Sequence, residues 1–141
     1  MNRRYFFGIG VLGLSLGIIP FSSLKASKKS SKAHNMNNII QHQVYFWLKP
    51  ELTELEEKDF LNFFKVLKTV PGIKTFTVGR PAPTNPRDVV DNSFSYSITV
   101  TFENMDAINT YETHPIHTQA AQKYSKYWTR VQVRDTEIIS L

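Results

Sequence analysis

The chain has 141 residues, no cysteine and a formal net charge of +5 at neutral pH. The lack of cysteine excludes disulfides, thiol nucleophiles, cysteine metal sites and lipid attachment through cysteine. Residues 1–33 hold six of the 17 basic side chains and no acid, so residues 34–141 carry 11 basic against 12 acidic side chains. The basic charge thus belongs to residues 1–33 and gives no indication of nucleic acid binding, which requires a clustered positive surface.

The first 33 residues resemble an export signal. Arg3 and Arg4 precede an apolar run from Phe6 to Leu24 that four glycines interrupt, and lysines follow the run. This order predicts a twin-arginine signal. A membrane anchor and an ordinary secretory leader stay open as alternatives, although the interrupted run is short for a membrane span of about 20 residues.

Export has consequences for location and partners. Small residues allow cleavage after Ala33 or after Ala26. The twin-arginine translocase would be a partner during export, and the folded domain would work in the periplasm or outside the cell. Residues 34–39 belong to a lysine-, serine- and asparagine-rich tether without apolar periodicity, and residues 40–141 form the domain.

The side chains of residues 40–49 alternate between two faces, as they do in a β-strand. His42, Val44 and Phe46 share one face, while Tyr45 and Trp47 lie on the other. Large apolar groups on both faces indicate that both are covered. We therefore predict helices on the first face and a second copy of the chain on Tyr45 and Trp47, which makes the protein a homodimer.

An amphipathic helix follows. Thr53 and Glu56 have the spacing of a capping box, and Pro71-Gly72 ends the segment. The apolar positions recur at helical spacing and are mostly aromatic: Phe60, Phe63, Phe64 and Leu67. They predict a core stripe, with the alternative that some of these rings form the apolar wall of a ligand pocket.

The remaining elements complete a simple order. Residues 73–79 and 94–102 predict strands, and the proline-rich loop between them either covers a cavity mouth or is a surface excursion. Asn104 is placed to cap a helix over residues 105–113, and residues 131–139 predict a last strand. The order βαββαβ, with a broken second helix, predicts a ferredoxin-like α+β fold with a four-stranded antiparallel sheet. Two such sheets facing each other would form a dimeric α+β barrel.

The second helical region concentrates polar chemistry. Pro115 breaks the helix and starts another. After it, apolar and aromatic residues recur at three- and four-residue spacing together with an imidazole: His117, Ala120, Ala121, Tyr124 and Trp128. The spacing directs His117 inward, and Tyr111 at the end of the preceding helix brings a phenol to the same place.

In the order of its predicted elements and in its Tyr111–His117 motif, the chain resembles the stress-responsive A/B barrel family, or Dabb. The resemblance covers residues 40–135 and rests on five segments: His42–Lys49, Val70–Ile73, Val100–Glu103, Tyr111–His117 and Val131–Asp135. It implies a dimeric barrel and leaves the activity open. A plant polyketide cyclase of the family closes a ring by an aldol step without metal or organic cofactor.

That cyclase implies roles for particular residues. Its catalytic tyrosine and histidine match Tyr111 and His117, and a further histidine matches His42. The chain departs from it at Tyr96, where the cyclase has another histidine. The same substrate should therefore not be expected.

The leading hypothesis is a cofactor-free lyase, isomerase or cyclase acting on a small hydrophobic carbonyl compound. His117 would be the general base, and Tyr111 would donate to the developing enolate oxygen. The predicted pocket combines His42 with an apolar wall and one phenol: Phe60, Phe63, Phe64, Tyr96, Ile98 and Val100.

Two other functions stay open. One is a non-catalytic stress-response or ligand-binding dimer, in which His114 caps a helix and His117 hydrogen-bonds the first strand. The other is a barrel monooxygenase acting on quinol-like compounds. No cofactor and no metal are predicted, because the two histidines His114 and His117 fall short of a metal site.

Overall fold

A computed structural model describes residues 38–141. The strands are β1 Ile40–Leu48, β2 Ile73–Gly79, β3 Tyr96–Phe102 and β4 Trp128–Glu137, and the helices are α1 Glu54–Leu67, α2 Met105–Thr113 and α3 Pro115–Tyr124. This order confirms the predicted βαββαβ plan. The predicted export signal, with Arg3 and Arg4, lies outside the described residues and stays a prediction. None of the helices within residues 38–141 has the length and hydropathy needed to cross a membrane.

The four strands form one antiparallel sheet in the order β2-β3-β1-β4. In the central register His42 pairs with Val100 on one side and with Asp135 on the other. Because side chains alternate along a strand, these residues share the face that carries the helices. The ferredoxin-like fold with a four-stranded antiparallel sheet is therefore confirmed.

The first helix has the predicted start. The Glu56 carboxylate accepts from the Thr53 amide at 2.8 Å, and the Glu56 amide donates to the Thr53 hydroxyl at 3.3 Å. Its inward stripe packs as a cluster of aromatic rings. Phe60 is fully buried and lies 4.9 Å from Phe64 and 5.8 Å from Phe46, between ring centroids. This cluster anchors α1 on the sheet.

The break between α2 and α3 follows the sequence. Pro115 occupies the first turn of α3, and the His114 imidazole Nδ1 accepts from the Ile116 amide at 3.2 Å. Asn104 caps α2 through the Ala107 amide at 2.9 Å. Both predicted caps are confirmed, and together they place Tyr111 and His117 on either side of the break.

Two strands begin at residues other than the predicted ones. Helix α3 ends at Tyr124, a 3₁₀ turn follows, and β4 begins at Trp128 rather than at residue 131. The Trp128 ring packs 5.4 Å from the Phe46 ring, and the Lys49 amide bonds the carbonyl before Trp128. These contacts with β1 hold Trp128 in the sheet, although its spacing from His117 and Tyr124 had suggested that it continues the helix. β3 begins at Tyr96 rather than at residue 94.

The outer face of the sheet carries Tyr45 and Trp47, as predicted. Part of the proline-rich loop folds over it: the Phe94 ring lies 5.1 Å from the Tyr45 ring, and Ser93 accepts from the Trp47 indole at 2.9 Å. The Arg130 guanidinium lies 4.1 Å above the Trp47 ring. This part of the loop therefore lies on the face opposite the helices. The loop supplies none of the side chains that line the helix-side cavity.

Candidate functional site

A cavity of about 450 Å³ lies between the sheet and the helices. Five apolar side chains of the sheet line it: Val44, Phe46, Ile98, Val131 and Val133. Helices α1 and α3 and the start of β4 contribute Phe63, Leu67, Ala121 and Trp128. Such a volume with an apolar lining suits a small organic molecule. The polar groups on its wall are His42, Tyr111, Glu112 and His117.

Tyr111 presents an unsatisfied hydroxyl. Its side chain is fully buried, and its hydroxyl has no hydrogen-bond partner among the described residues. Burial, helped by the nearby negative charge of Glu112, raises the pKa of the Tyr111 phenol far above its usual range. The phenol therefore stays protonated at neutral pH and can donate to a ligand. Buried hydroxyls in proteins normally have a partner, so we expect a molecule in the cavity, water or ligand, to accept a hydrogen bond from Tyr111.

His117 lies beside this phenol, with 4.6 Å between the ring centroids. Its Nδ1 lies 3.0 Å from the carbonyl oxygen of Glu112. A carbonyl only accepts, so the tautomer assigned here carries its proton on Nδ1 and leaves Nε2 with a free lone pair. Burial lowers the pKa of His117 below its usual value. The imidazole is therefore neutral at pH 7 and able to accept a proton.

His42 also lies near Tyr111, with 6.0 Å between the ring centroids. Its side chain is almost fully buried, and its Nδ1 bonds the Asp135 carboxylate at 2.6 Å. The pairing of β1 with β4 creates this contact, because His42 and Asp135 are register partners. Two oriented imidazoles thus lie near one buried phenol.

The structure brings together only part of the predicted pocket. His42, Phe63, Ile98, Tyr111 and His117 line the cavity. The other four predicted residues are buried in the core beside it: Phe60, Phe64, Tyr96 and Val100.

Packing explains why three of these four residues, Phe60, Phe64 and Tyr96, do not line the cavity. The Tyr96 hydroxyl donates to the Glu57 carboxylate and accepts from Arg80 at 3.0 Å. Phe60 and Phe64 lie against the Tyr96 ring, at 5.7 and 6.1 Å between centroids. The alternation of β3 predicted the right face of the sheet. It could not predict which part of that face the neighbouring rings fill.

Sequence reasoning missed Glu112 and Asp135. Polar atoms of these two residues and of His42 all lie within 4.8 Å of one another. The spacing of Val131, Val133 and Asp135 was the available signal, since it places Asp135 on the helix side of β4. One imidazole and two carboxylates are donors that could hold a divalent cation. In the observed geometry, however, Asp135 is already bonded to His42.

The described residues define a ferredoxin-like α+β domain whose apolar cavity presents a neutral imidazole and a protonated phenol side by side. The stress responsive A/B barrel domain model matches residues 40–138. The chain belongs to this Dabb family, which confirms the resemblance seen in the sequence.

The chain is also similar to a plant enzyme. Olivetolic acid cyclase from Cannabis sativa is 22% identical over 97 residues, which cover 68% of this chain and 93% of the cyclase. The aligned part is thus nearly the whole of that enzyme.

Several solved structures share the fold. A Dabb protein from Mesorhizobium loti has a TM-score of 0.61 at 24% identity, over 73% of this chain and 99% of that one. A hydroxynitrile lyase from Passiflora edulis has a TM-score of 0.64 at 17% identity, over 74% and 97%. A dimeric ferredoxin-like protein from Bacteroides fragilis has a TM-score of 0.57 at 21% identity, over 71% and 96%.

Proposed function

We propose that this protein is a cofactor-independent lyase, isomerase or cyclase that removes a proton next to the carbonyl group of a small hydrophobic compound. One observation carries the proposal. The buried hydroxyl of Tyr111, which has no hydrogen-bond partner within residues 38–141, belongs to a ring 4.6 Å from the neutral imidazole of His117, on the wall of an apolar cavity. A proton donor and a proton acceptor are thus held together where a ligand fits.

The reaction would use both groups. The lone pair of His117 Nε2 takes the proton from the carbon next to the carbonyl, and the C–H electron pair forms a carbon–carbon double bond. The carbonyl electron pair moves onto oxygen, and the enolate oxygen accepts a hydrogen bond from Tyr111. The enolate then attacks an electrophilic carbon or expels a leaving group, and the imidazolium returns its proton to the product.

The relatives support this class of reaction without identifying the substrate. By their names, one similar protein is a cyclase and another a lyase. Among the residues that the structure describes, the phenol and the imidazole needed for such chemistry converge on one cavity. We infer the same chemical class for this chain.

Proton exchange into a simple ketone tests the proposal. We expect the protein to accelerate the exchange of the methyl hydrogens of 4-hydroxyacetophenone in heavy water, followed by proton NMR. Tyr111→Phe removes the donor and is expected to lower the exchange rate by about 10²-fold. Thr118→Ala, on the solvent side of α3, is the control and should retain the native rate.

The outcomes separate catalysis from binding. Exchange by Tyr111→Phe at the native rate would refute the role of the phenol. Binding of the ketone to the native protein without any exchange would refute catalysis and would favour the ligand-binding alternative.

We further propose a homodimer through the outer face of the sheet. Solved relatives of the same fold are dimeric, and this face carries the half-buried rings of Tyr45 and Trp47. A row of serine and threonine side chains on β3 leaves space for a second sheet to approach: Ser97, Thr99 and Thr101.

Trp47→Asp tests this interface. Burying this carboxylate in the dimer costs free energy even though Arg130 lies beside position 47, so we expect a monomer of half the native mass by light scattering. Leu55→Asp places the same charge on an exposed position of α1 and should leave the mass unchanged. A Trp47→Asp protein with the native mass would contradict the interface.

A further inference from the structure

A carboxylate stands at the rim of the cavity. Glu112 follows Tyr111 at the end of α2, lines the cavity and is exposed to solvent. Its side chain lies close to the pair formed by His42 and Asp135, with polar atoms of all three within 4.8 Å. Glu112 thus contacts both the solvent and the cavity.

The charge at this rim is not balanced. Among the described residues that line the cavity, none is a lysine or an arginine. Two carboxylates, Glu112 and Asp135, share one imidazole, and that imidazole bonds Asp135. The other imidazole on the wall, His117, is uncharged at neutral pH. An entering ligand therefore meets net negative charge at the rim and an apolar lining behind it.

The negative charge of Glu112 acts electrostatically on Tyr111 and His117. Its negative charge opposes ionisation of the Tyr111 phenol and acts on the His117 imidazole as well. A carboxylate is also a strong acceptor for a hydroxyl group, and such charge-assisted hydrogen bonds are stronger than neutral ones. Glu112 can therefore attract a hydroxyl group and repel an anion at the same position.

We propose that Glu112 determines specificity and restricts the cavity to uncharged carbonyl compounds that carry a hydroxyl group at the end facing the rim. This inference rests on the proposed function, because it assumes that the carbonyl end reaches Tyr111 and His117. Carboxylates and phosphate esters would be rejected, since they would lie beside Glu112 and Asp135 without a cationic partner.

Matched ketones test this. 4-Hydroxyacetophenone and 4-acetylbenzoate share the same ketone and differ in having a hydroxyl or a carboxylate at the opposite end. Trp128 lines the cavity, so binding can be followed by tryptophan fluorescence and checked by calorimetry. We expect the native protein to bind 4-acetylbenzoate at least about tenfold more weakly at low ionic strength, with a smaller difference in high salt.

Substitutions assign the effect to one residue. Glu112→Gln should reduce the difference between the two ketones to about threefold or less, and Glu112→Lys should favour 4-acetylbenzoate. Glu51→Gln makes the same charge change as Glu112→Gln at an exposed position that does not line the cavity. It should preserve the native preference.

Each result has a definite meaning. Equal binding of both ketones by the native protein, or an unchanged preference in Glu112→Gln, would overturn the role of Glu112 alone. Binding of neither ketone would overturn the proposed function together with this inference. Native preference with its loss in Glu112→Gln supports the role of Glu112, and proton exchange into the bound ketone tests the proposed function separately.

Discussion

His117→Ala is expected to slow ketone proton exchange by about 10²–10⁴-fold, the usual contribution of a positioned general base. The reason is geometric as well as chemical. Bonding of Nδ1 to the Glu112 carbonyl fixes the ring, and Nε2 is then the nitrogen that can accept a proton. Alanine removes the acceptor and leaves Tyr111 in place. Exchange is measured by proton NMR under the conditions used for the native protein.

His114 supplies a matched control for this substitution. It belongs to the same motif, but its imidazole caps α3 and does not line the cavity. His114→Ala should cost about 1 kcal/mol of stability, as the loss of a helix cap does, with exchange within a few-fold of native. A His117→Ala protein that exchanges protons as fast as His114→Ala would rule out His117 as the base.

The state of His117 also predicts a pH profile. Burial lowers its pKa in the folded protein below the ordinary value of 6.5. The neutral base therefore persists into mildly acidic solution, and the exchange rate should fall only as the pH drops through this lowered pKa. At a pH between the pKa of His117 in the folded protein and its pKa in the unfolded chain, the unfolded chain binds more protons than the folded protein. The free energy of unfolding should therefore decrease as the pH falls through this range. This contribution should be missing in His117→Ala.

Phe60→Ala is expected to lower the free energy of unfolding by about 3–5 kcal/mol, the usual cost of truncating a buried phenylalanine. Phe60 is fully buried and contacts rings of α1, β1, β3 and β4, among them Phe46, Tyr96 and Trp128. No single neighbour can fill the space that it leaves. Since small domains are stable by only about 5–15 kcal/mol, this substitution should remove a large part of the total.

Denaturant unfolding measures this loss, with Leu55→Ala as the comparison. Leu55 lies on the same helix but is 78% exposed, so its truncation should change stability by no more than about 0.5 kcal/mol. A Phe60→Ala cost near that of Leu55→Ala would show that the aromatic cluster does not hold α1 on the sheet.

Local sequence signals predicted the elements well where one physical cause dominates. The capping box of Thr53 and Glu56, the cap at Asn104 and the proline break at Pro115 act within a few residues, and the structure contains all three. The start of β4 at Trp128 depended on contacts with Phe46, which is distant in sequence. Helical spacing had therefore placed Trp128 on α3, whereas α3 ends at Tyr124.

The sequence by itself determined the order of the elements, the helix-facing side of each central strand and the motif that carries Tyr111 and His117. These follow from periodicities and caps that act over short stretches of chain. Only the tertiary structure decided that Asp135 bonds His42, that Glu112 stands at the rim, and that Phe60, Phe64, Tyr96 and Val100 fill the core beside the cavity. Strand register and ring packing join residues far apart in the chain, and local periodicity carries no information about such pairs.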